Sequence, residues 1–592
     1  MNLQSIDLLQ LLKSLWSHIG LRRKYQIGLL LLLMILASFA EILSIGSVIP
    51  FLGALTNPQY IYDHSLFRPL INLSIVKNTS DILLIFTMVF CAAAILAGAL
   101  RLVLSWANNR LAFLIGSDLS SDVYRKILYQ KYEFHMQHNS GEIISVVSTK
   151  ANAVIFQTIF PVLNALSSMF ILVVIILALL VINPQIAIVT AIGFGSIYIL
   201  IVRLTKKTVH QNSIAIAQQS TQVLKSLQEG LGGIRDVLIE GNQEIYCDIY
   251  KRANTLLLKA YGDNQFLAGS PRFLIESLGM VLIAGLAFRI SQDGNGMGKA
   301  IPMLGALALS AQRLLPVLQQ LYVSWSNIKG GQKTLEDVLN ILSMQADIGS
   351  TRGWTRKLLF SNSIKLHDVS FRYLKSTLPV LKGVNLEIKK GSKVGFIGST
   401  GGGKSTLLDI IMALLTPESG SLKVDDVEVN HTNFRQWQAG IAHVPQAIYL
   451  SDSTITENIA FGVPKAQIDY GRLKLAAQKA QIDTAIESWS DGYDTVVGER
   501  GIRLSGGQRQ RIGIARALYK KADVIVFDEA TSALDEETER LVMQAINALD
   551  ENLTILIIAH RFTTLKECEK IVEIKNGMVT RIGPYHEIIN QS

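Results

Sequence analysis

Six long apolar runs crowd the first 330 residues: Ile27 to Leu55, Ile82 to Leu104, Pro161 to Ile182, Ile186 to Val202, Phe273 to Ile290 and Ile301 to Leu321. Each is about as long as a helix needs to cross ~30 Å of hydrocarbon. Across 592 residues, hydrophobic side chains make up 49% and charged ones only 17%. That charge share lies below the roughly 25% typical of soluble domains, which argues against a purely soluble enzyme. The first run is too long for the apolar core of a signal peptide and no small-residue cleavage site follows it, so it is expected to stay as a span.

Six crossings put both termini on one side, and the basic residues say which. Arg22-Arg23-Lys24 and the segments Asn108 to Lys150 and Arg203 to Lys259 are rich in Lys and Arg. The connections Thr56 to Ser80, Asn183 to Gln185 and Ser291 to Ala300 hold few. The basic segments and both termini are therefore expected in the cytoplasm, across a cell inner membrane. The formal charge of +9 is read in the same way, as loop charge beside spans, and no nucleic-acid partner is expected. Cys91, Cys247 and Cys568 are far apart, fit neither a zinc site nor a disulfide framework, and are expected to be buried thiols.

The two basic segments lack Pro and keep helical periodicity, as at Leu119, Val123, Ile127 and Leu128, so the spans are expected to continue into the cytoplasm as helices. Ile6, Leu9, Leu12, Trp16 and Ile19 predict an amphipathic helix, either lying on the inner membrane surface or packed like any other. Tyr60 to Val76 suits an interfacial external helix or an ordered loop. The domains are expected at residues 1–330 (membrane), 331–362 (linker) and 363–592, where β-rich and helical runs alternate in an α/β pattern.

In that last domain the strand-like Lys393 to Ile397 runs into Gly398-Ser399-Thr400-Gly401-Gly402-Gly403-Lys404-Ser405, and a helical run from Thr406 to Leu415 follows. This is the phosphate loop G-x-x-x-x-G-K-[ST] in its proper strand–loop–helix setting. Its glycines let backbone N–H groups wrap phosphates, Lys404 reaches the β- and γ-phosphates, and Ser405 can ligate Mg2+. The buried strand Val524 to Phe527 ends at Asp528-Glu529. Asp528 can hold the Mg2+ shell and Glu529 can polarise the attacking water as general base. The expected cofactors are ATP and Mg2+.

Leu504-Ser505-Gly506-Gly507-Gln508, opening the helical Arg509 to Leu518, completes the pattern. With the phosphate loop it resembles the signature of ATP-binding-cassette proteins, and the whole chain resembles an exporter half-transporter of that family. A Gly-rich turn at a helix N-terminus offers donors to a phosphate. The resemblance implies that Ser505, Gly506, Gly507 and Gln508 face the phosphate loop of a second copy, so that ATP is sandwiched in a homodimer. It further implies that Tyr373 stacks on adenine and that Gln446 senses Mg2+ and the membrane domain. Ser532-Ala533-Leu534-Asp535 passes between protomers by the same resemblance, and His560 contacts the γ-phosphate. Gly402 departs mildly, standing where serine is common. The turns near Ser140 to Val147 and Glu229 to Val237 would be coupling helices.

For the cargo, Arg101, Arg272 and Arg313 lie in or at the ends of apolar runs, where an unpaired charge costs roughly 2.5–3.5 kcal/mol on insertion scales. Facing a cavity they would suit a pyrophosphate, because arginine pairs with phosphate in a bidentate fork. The competing reading is snorkelling by Arg101 and Arg272 with an Arg313–Glu41 ion pair. Together with Phe39 to Gly46, the arginines resemble the lipid-linked oligosaccharide flippases, which implies an anionic lipid-linked glycan and membrane lipid as partners. Export of a peptide or amphipathic drug, or an ATP-gated channel, are the alternatives; an exporter with its own leader peptidase is not expected, as too few residues precede the first span.

Overall fold

The structure is a computed structural model that describes residues 7–56, 79–182, 184–292, 296–345, 357–373, 378–529, 535–547, 552–558 and 565–589. The chain divides into two compact units, Met1–Tyr129 with His138–Ala346, and Gln130–Gln137 with Asp347–Ser592.

The membrane unit is all helical. Helix α1 spans Leu8–His18, α2 Leu21–Gly46, α3 Val48–Thr56, α4 Thr79–Leu128, α5 Phe160–Ile182 and α6 Pro184–Gly232. Then come α7 at Ile234–Ile239, α8 at Gln243–Gly269, α9 at Pro271–Gln292, α10 at Gly296–Gly330 and α11 at Gln332–Ser343. Among the described residues, three stretches have the length and hydropathy of a crossing: Leu21–Leu55, Leu83–Leu128 and Ser140–Val181. The other three expected runs fall on α6, α9 and α10, part of whose side chains lie outside the described residues, as does the expected external segment Tyr60 to Val76.

The first crossing is two helices rather than one. Pro50 has no N–H to offer the Gly46 carbonyl four residues back, so the ladder breaks there and restarts as α3. At the other end of this unit, α4 and α6 are 50 and 49 residues long, which carries the helices well past the hydrocarbon. Two π turns, Ser145–Lys150 and Ile155–Ile159, interrupt the helical run leading into α5. Gly116 lets α4 cross the second one closely, since a Cβ there would lie 2.3 Å from Ile155 Cδ1.

Three expectations need correction. The linker does not start at 331: α11 is an amphipathic helix with Leu335, Val338, Leu339 and Leu342 buried in the membrane unit, and the units part at Ala346 and Asp347. In the first basic segment, Gln130–Gln137 groups with the second unit, whereas Ser140 to Val147 stays with the membrane unit. Cys91 and Cys247 are exposed, and only Cys568 is buried. As for α1, Leu11 and Leu15 are buried and the helix packs on α11, while Leu9 and Trp16 remain exposed.

The second unit holds two sheets. β1 (Ser363–Phe371), β2 (Leu381–Lys389), β4 (Ser419–Val424) and β5 (Val427–Glu428) form an antiparallel sheet in the order β2-β1-β4-β5. The other sheet has the order β10-β9-β3-β8-β7-β6. Its strands are β3 (Lys393–Ile397), β6 (Ile441–Val444), β7 (Val524–Asp528), β8 (Thr554–Ile558), β9 (Lys570–Lys575) and β10 (Met578–Gly583). β9, β3, β8, β7 and β6 run parallel and β10 returns antiparallel on the edge. Val524 to Phe527 of β7 and Ile555 to Ile558 of β8 are continuously apolar and buried because both faces are covered, as parallel strands require. The carboxyl ends of β3 and β7 therefore open on the same edge, where ligands of such sheets bind.

In the membrane unit, Lys150 in the first π turn is buried and pairs with Asp337 of α11 at 2.6 Å; Lys333 also reaches Asp337, at 3.5 Å. Removing one partner of a buried pair costs about 3–5 kcal/mol. Asp337→Ala, which strands Lys150, should therefore lower the thermal unfolding midpoint in detergent more than Lys150→Met, which leaves Asp337 with Lys333. The double variant Lys150→Met/Asp337→Ala should recover part of the Asp337→Ala loss.

Candidate functional site

The phosphate loop leaves β3 under steric orders. Gly398 has φ 148° and a Cβ there would stand 2.1 Å from the Ile574 carbonyl of β9; Gly401 and Gly403 have φ of 78° and 103°. Only glycine fits this path. At Gly402, where a serine was the expected residue, a Cβ would meet the Ser399 and Ile574 carbonyls at 3.0 and 3.1 Å, so the loop is drawn tightly onto β9. Lys404 opens helix α12 (Lys404–Ile411) and is buried; its Nζ donates to the Gly398 and Ser399 carbonyls at 2.8 and 3.1 Å. Ser405 and Thr406 occupy the first turn of α12, where backbone N–H groups have no intrahelical acceptor and suit a phosphate. The Tyr373 hydroxyl is 2.9 Å from Thr406 Oγ1, and its ring stands edge-on to Phe371, which ties an aromatic wall to the start of α12.

Three acids gather beside the loop. Asp528 ends β7, and burial together with the Glu529 carboxylate raises its pKa against the opposing pull of Lys404. Glu529 takes a left-handed φ of 51°, which an L-residue adopts at a cost of order 1–3 kcal/mol, and its N–H is fixed on the Ile558 carbonyl of β8 at 3.0 Å. This turn aims its carboxylate at Gln446, whose Nε2 donates to Glu529 Oε2 at 2.7 Å. Asp409, on α12, is pushed up to about 6 by burial and by Asp528. No group of three or more His, Cys, Asp or Glu able to hold a metal exists among the described residues. Mg2+ keeps several waters and takes one or two protein oxygens beside phosphates. The crowded charge at Asp528, with the Ser405 hydroxyl across the loop, is what such a cation would relieve.

Ser505 caps helix α13 (Gly506–Tyr519) in a reciprocal capping box: Gln508 N–H donates to Ser505 Oγ at 3.2 Å and Ser505 N–H to Gln508 Oε1 at 2.8 Å. The capping box spends the Gln508 donor, while Gly506 and Gly507 keep first-turn N–H groups with no intrahelical acceptor. His560 and Ser532 to Leu534 lie outside the described residues; Asp535 caps helix α14 (Glu536–Asn547) through Thr538 N–H at 3.0 Å.

The three expected cargo residues have different surroundings. Arg101 on α4 is ion-paired with Glu41, a carboxylate buried on α2. Glu41 thus pairs with a cation on α4, a partner that the Arg313–Glu41 reading did not consider. Arg272 pairs with Glu276 at 2.6 Å, with both side chains about half exposed, and both line a cavity of about 110 Å3 with Tyr198 and Gln319. Arg313 sits on α10, and its side chain lies outside the described residues.

Two residues of the ATPase unit were missed. Asp409 interrupts the apolar run Leu407-Leu408-Asp409-Ile410-Ile411, a signal that was available. Tyr132, in the short helix Tyr132–Gln137, lies near Asp409 and Tyr373, and burial raises its hydroxyl pKa first, with both neighbours adding to the effect. Nothing local in the sequence marked it.

Residues 27–295 match the family described as the ABC transporter transmembrane region, and residues 381–532 match the ABC transporter domain. An ATP-dependent lipid A-core flippase of Saccharophagus degradans is 31% identical over 488 residues, covering 80% of both chains. ABC transporter B family member 29, chloroplastic, of Arabidopsis thaliana is 29% identical over 474 residues, 78% of this chain and 73% of that one. The solved structure of a bacterial Atm1-family ABC exporter with ATP bound superposes with a TM-score of 0.79 over 97% of each chain at 21% identity, which establishes the fold. With the phosphate loop, the strand-end acids and the capped signature helix in place, the chain belongs to the ABC transporter family, as an exporter half-transporter that hydrolyses ATP.

Proposed function

We propose that two copies of this chain form a homodimeric flippase in a cell inner membrane, with ATPase units and termini cytoplasmic, that moves an anionic lipid-linked substrate, a lipid-linked oligosaccharide, to the outer side. The observation that carries the reading is the Arg272 fork, half exposed at a cavity between α6, α9 and α10 beside Tyr198, Glu276 and Gln319. Guanidinium suits a phosphate, and the amide, carboxylate and phenol suit hydroxyl-rich groups. The relatives named lipid A-core flippases support a lipid cargo.

In the ATP cycle we assign Glu529 as the base that polarises the attacking water, positioned by its left-handed turn and by Gln446. Mg2+ would supply charge neutralisation at the phosphates, held through Ser405, Asp528 and Gln446. Lys404 and the loop N–H groups bind the β- and γ-phosphates, Tyr373 flanks the base, and His560 contacts the γ-phosphate. Ser505 to Gln508 of each copy close the partner's site through the free donors at the start of α13. Around α7, Leu231, Ile234, Leu238 and Ile239 are exposed apolar residues on a cytoplasmic turn, which suits docking on the partner's ATPase unit.

Glu529→Gln keeps the cradle and removes the base, so it should bind ATP with near-normal affinity and hydrolyse it at least about a hundredfold more slowly. Wild-type turnover would refute the assignment. Lys404→Ala and Ser505→Arg should each abolish hydrolysis alone, whereas dimers that mix the two retain one intact composite site. Mixtures that stay inactive while subunit exchange is demonstrated would remove the two-copy site.

The cargo is tested by flipping of a lipid-linked oligosaccharide in vesicles, normalised to folded dimer, for Arg101→Ala, Arg272→Ala and Arg313→Ala. Each lost charge-assisted bond to the anion is worth about 1.5–3 kcal/mol, a fall of tenfold or more. Arg272→Lys should restore only part, because a point charge replaces a planar fork. Arg101→Ala should also lower stability, since it removes the ion pair that joins α4 to the buried Glu41 of α2. Unchanged flux per folded dimer in all three would return the cargo to a peptide or an amphipathic drug.

A further inference from the structure

In the membrane unit, two cations that join separate helical segments have carboxylates: Lys150 with Asp337 at 2.6 Å and Arg23 with Asp118 at 2.7 Å. Three basic groups break this pattern. Lys206 and His210 lie four residues apart on one face of α6. That face meets the end of α10 and the start of α11: buried Val209 lies beside Gly330, and Ser213 Oγ accepts from Lys333 N–H at 3.0 Å. Next to Gly330 stands Lys329, whose ammonium donates to the Gln332 amide oxygen rather than to a carboxylate. His210 Nδ1 is buried without a hydrogen-bond partner among the described residues.

Among the described residues no carboxylate forms an ion pair with Lys206, His210 or Lys329. The acid that acts on Lys329 is Asp7 at the start of α1, and it is outweighed: burial and then Lys206 hold the Lys329 ammonium below its ordinary pKa. Burial and then Lys329 lower His210 in the same way. Lys206 and Lys329 are like charges with so little compensation that they repel one another. An anion placed among them removes that cost.

Location narrows the anion. The fourth and sixth apolar runs end at Val202 and Leu321, so at 1.5 Å per residue Lys206 and Lys329 sit roughly 6 and 12 Å beyond the hydrocarbon, at headgroup depth. On α10, Lys329, Trp325, Tyr322 and Gln319 follow one another at helical spacing on one face. Rings link the levels: Tyr322 to Trp325 at 5.7 Å and Tyr198 to Tyr322 at 5.9 Å. Tyr198 and Gln319 then line the cavity of Arg272.

We propose that Lys206, His210 and Lys329 form a phosphate site at the cytoplasmic end of the α6–α10 seam, which takes the phosphate or pyrophosphate of a lipid headgroup before it reaches Arg272. The site rests on the anionic-cargo reading and adds to it a loading position distinct from the cavity.

The test is lysine-resolved acylation of the full-length protein in phosphatidylcholine nanodiscs, read by mass spectrometry, with farnesyl pyrophosphate, inorganic pyrophosphate or no addition. Farnesyl pyrophosphate should protect Lys206 and Lys329 by about tenfold while leaving Lys365 of the ATPase unit as reactive as before. Protection by farnesyl but not inorganic pyrophosphate identifies a lipid-borne phosphate; equal protection identifies a site for the free anion and overturns the loading role. In parallel, Lys206→Gln/Lys329→Gln should raise by about tenfold the farnesyl pyrophosphate concentration that half-stimulates ATP hydrolysis, and Lys206→Arg/Lys329→Arg should restore it. Absence of protection refutes the site. If stimulation by farnesyl pyrophosphate then still depends on Arg272, the anionic cargo stands without it; if no stimulation occurs in any variant, the cargo reading falls as well.

Discussion

The ATPase unit depends on how closely β3 and β9 approach where the chain leaves the sheet. Gly398 presses its Cα onto the Ile574 carbonyl, and from that contact the loop can curl back only through glycines, placing Lys404 inside its own ring of carbonyls. The same parallel register brings the end of β7 alongside, so strand order carries Asp528 and Glu529 to the edge of the sheet from which Lys404 emerges. What the order does not supply is direction, and the left-handed turn at Glu529 does.

The membrane unit solves a different problem, in which charge is costly and must be answered nearby. Glu41, fully buried, is answered by Arg101; Lys150 is answered by Asp337. These pairs join α2 to α4 and the π-turn segment to α11, so they fix helix neighbours that apolar packing alone would leave free to slide. The Arg272–Glu276 pair differs from these in being about half exposed and in lying within one helix.

Local requirements were readable from the sequence and remote ones were not. The phosphate loop and the Ser505–Gln508 cap were legible because the backbone itself demands those residues within a few positions. The six apolar runs were legible by length. Pro50 was visible too, yet its effect was overlooked because hydropathy averages across a break. α11 was taken for linker since its mean hydropathy is low, although Leu335, Val338, Leu339 and Leu342 already spell a helical stripe. Asp409 was marked by the apolar run it interrupts, whereas Tyr132 acquires its meaning only when distant residues arrive beside it. The same holds for Arg101, whose partner 60 residues earlier is set by helix packing.

The break at Pro50 has a mechanical consequence. A continuous helix resists bending along its whole length, and tilting its outer end strains every turn below it. With the Gly46 carbonyl released from the ladder, the first crossing consists of two rods meeting at a joint, with Glu41 anchored on the inner rod and the stacked pair Phe51–Phe90 on the outer one. Both rods are tied to the same continuous helix α4, the inner one through Glu41–Arg101 and the outer one through the Phe51–Phe90 stack, so α4 bridges the joint that the first crossing leaves open.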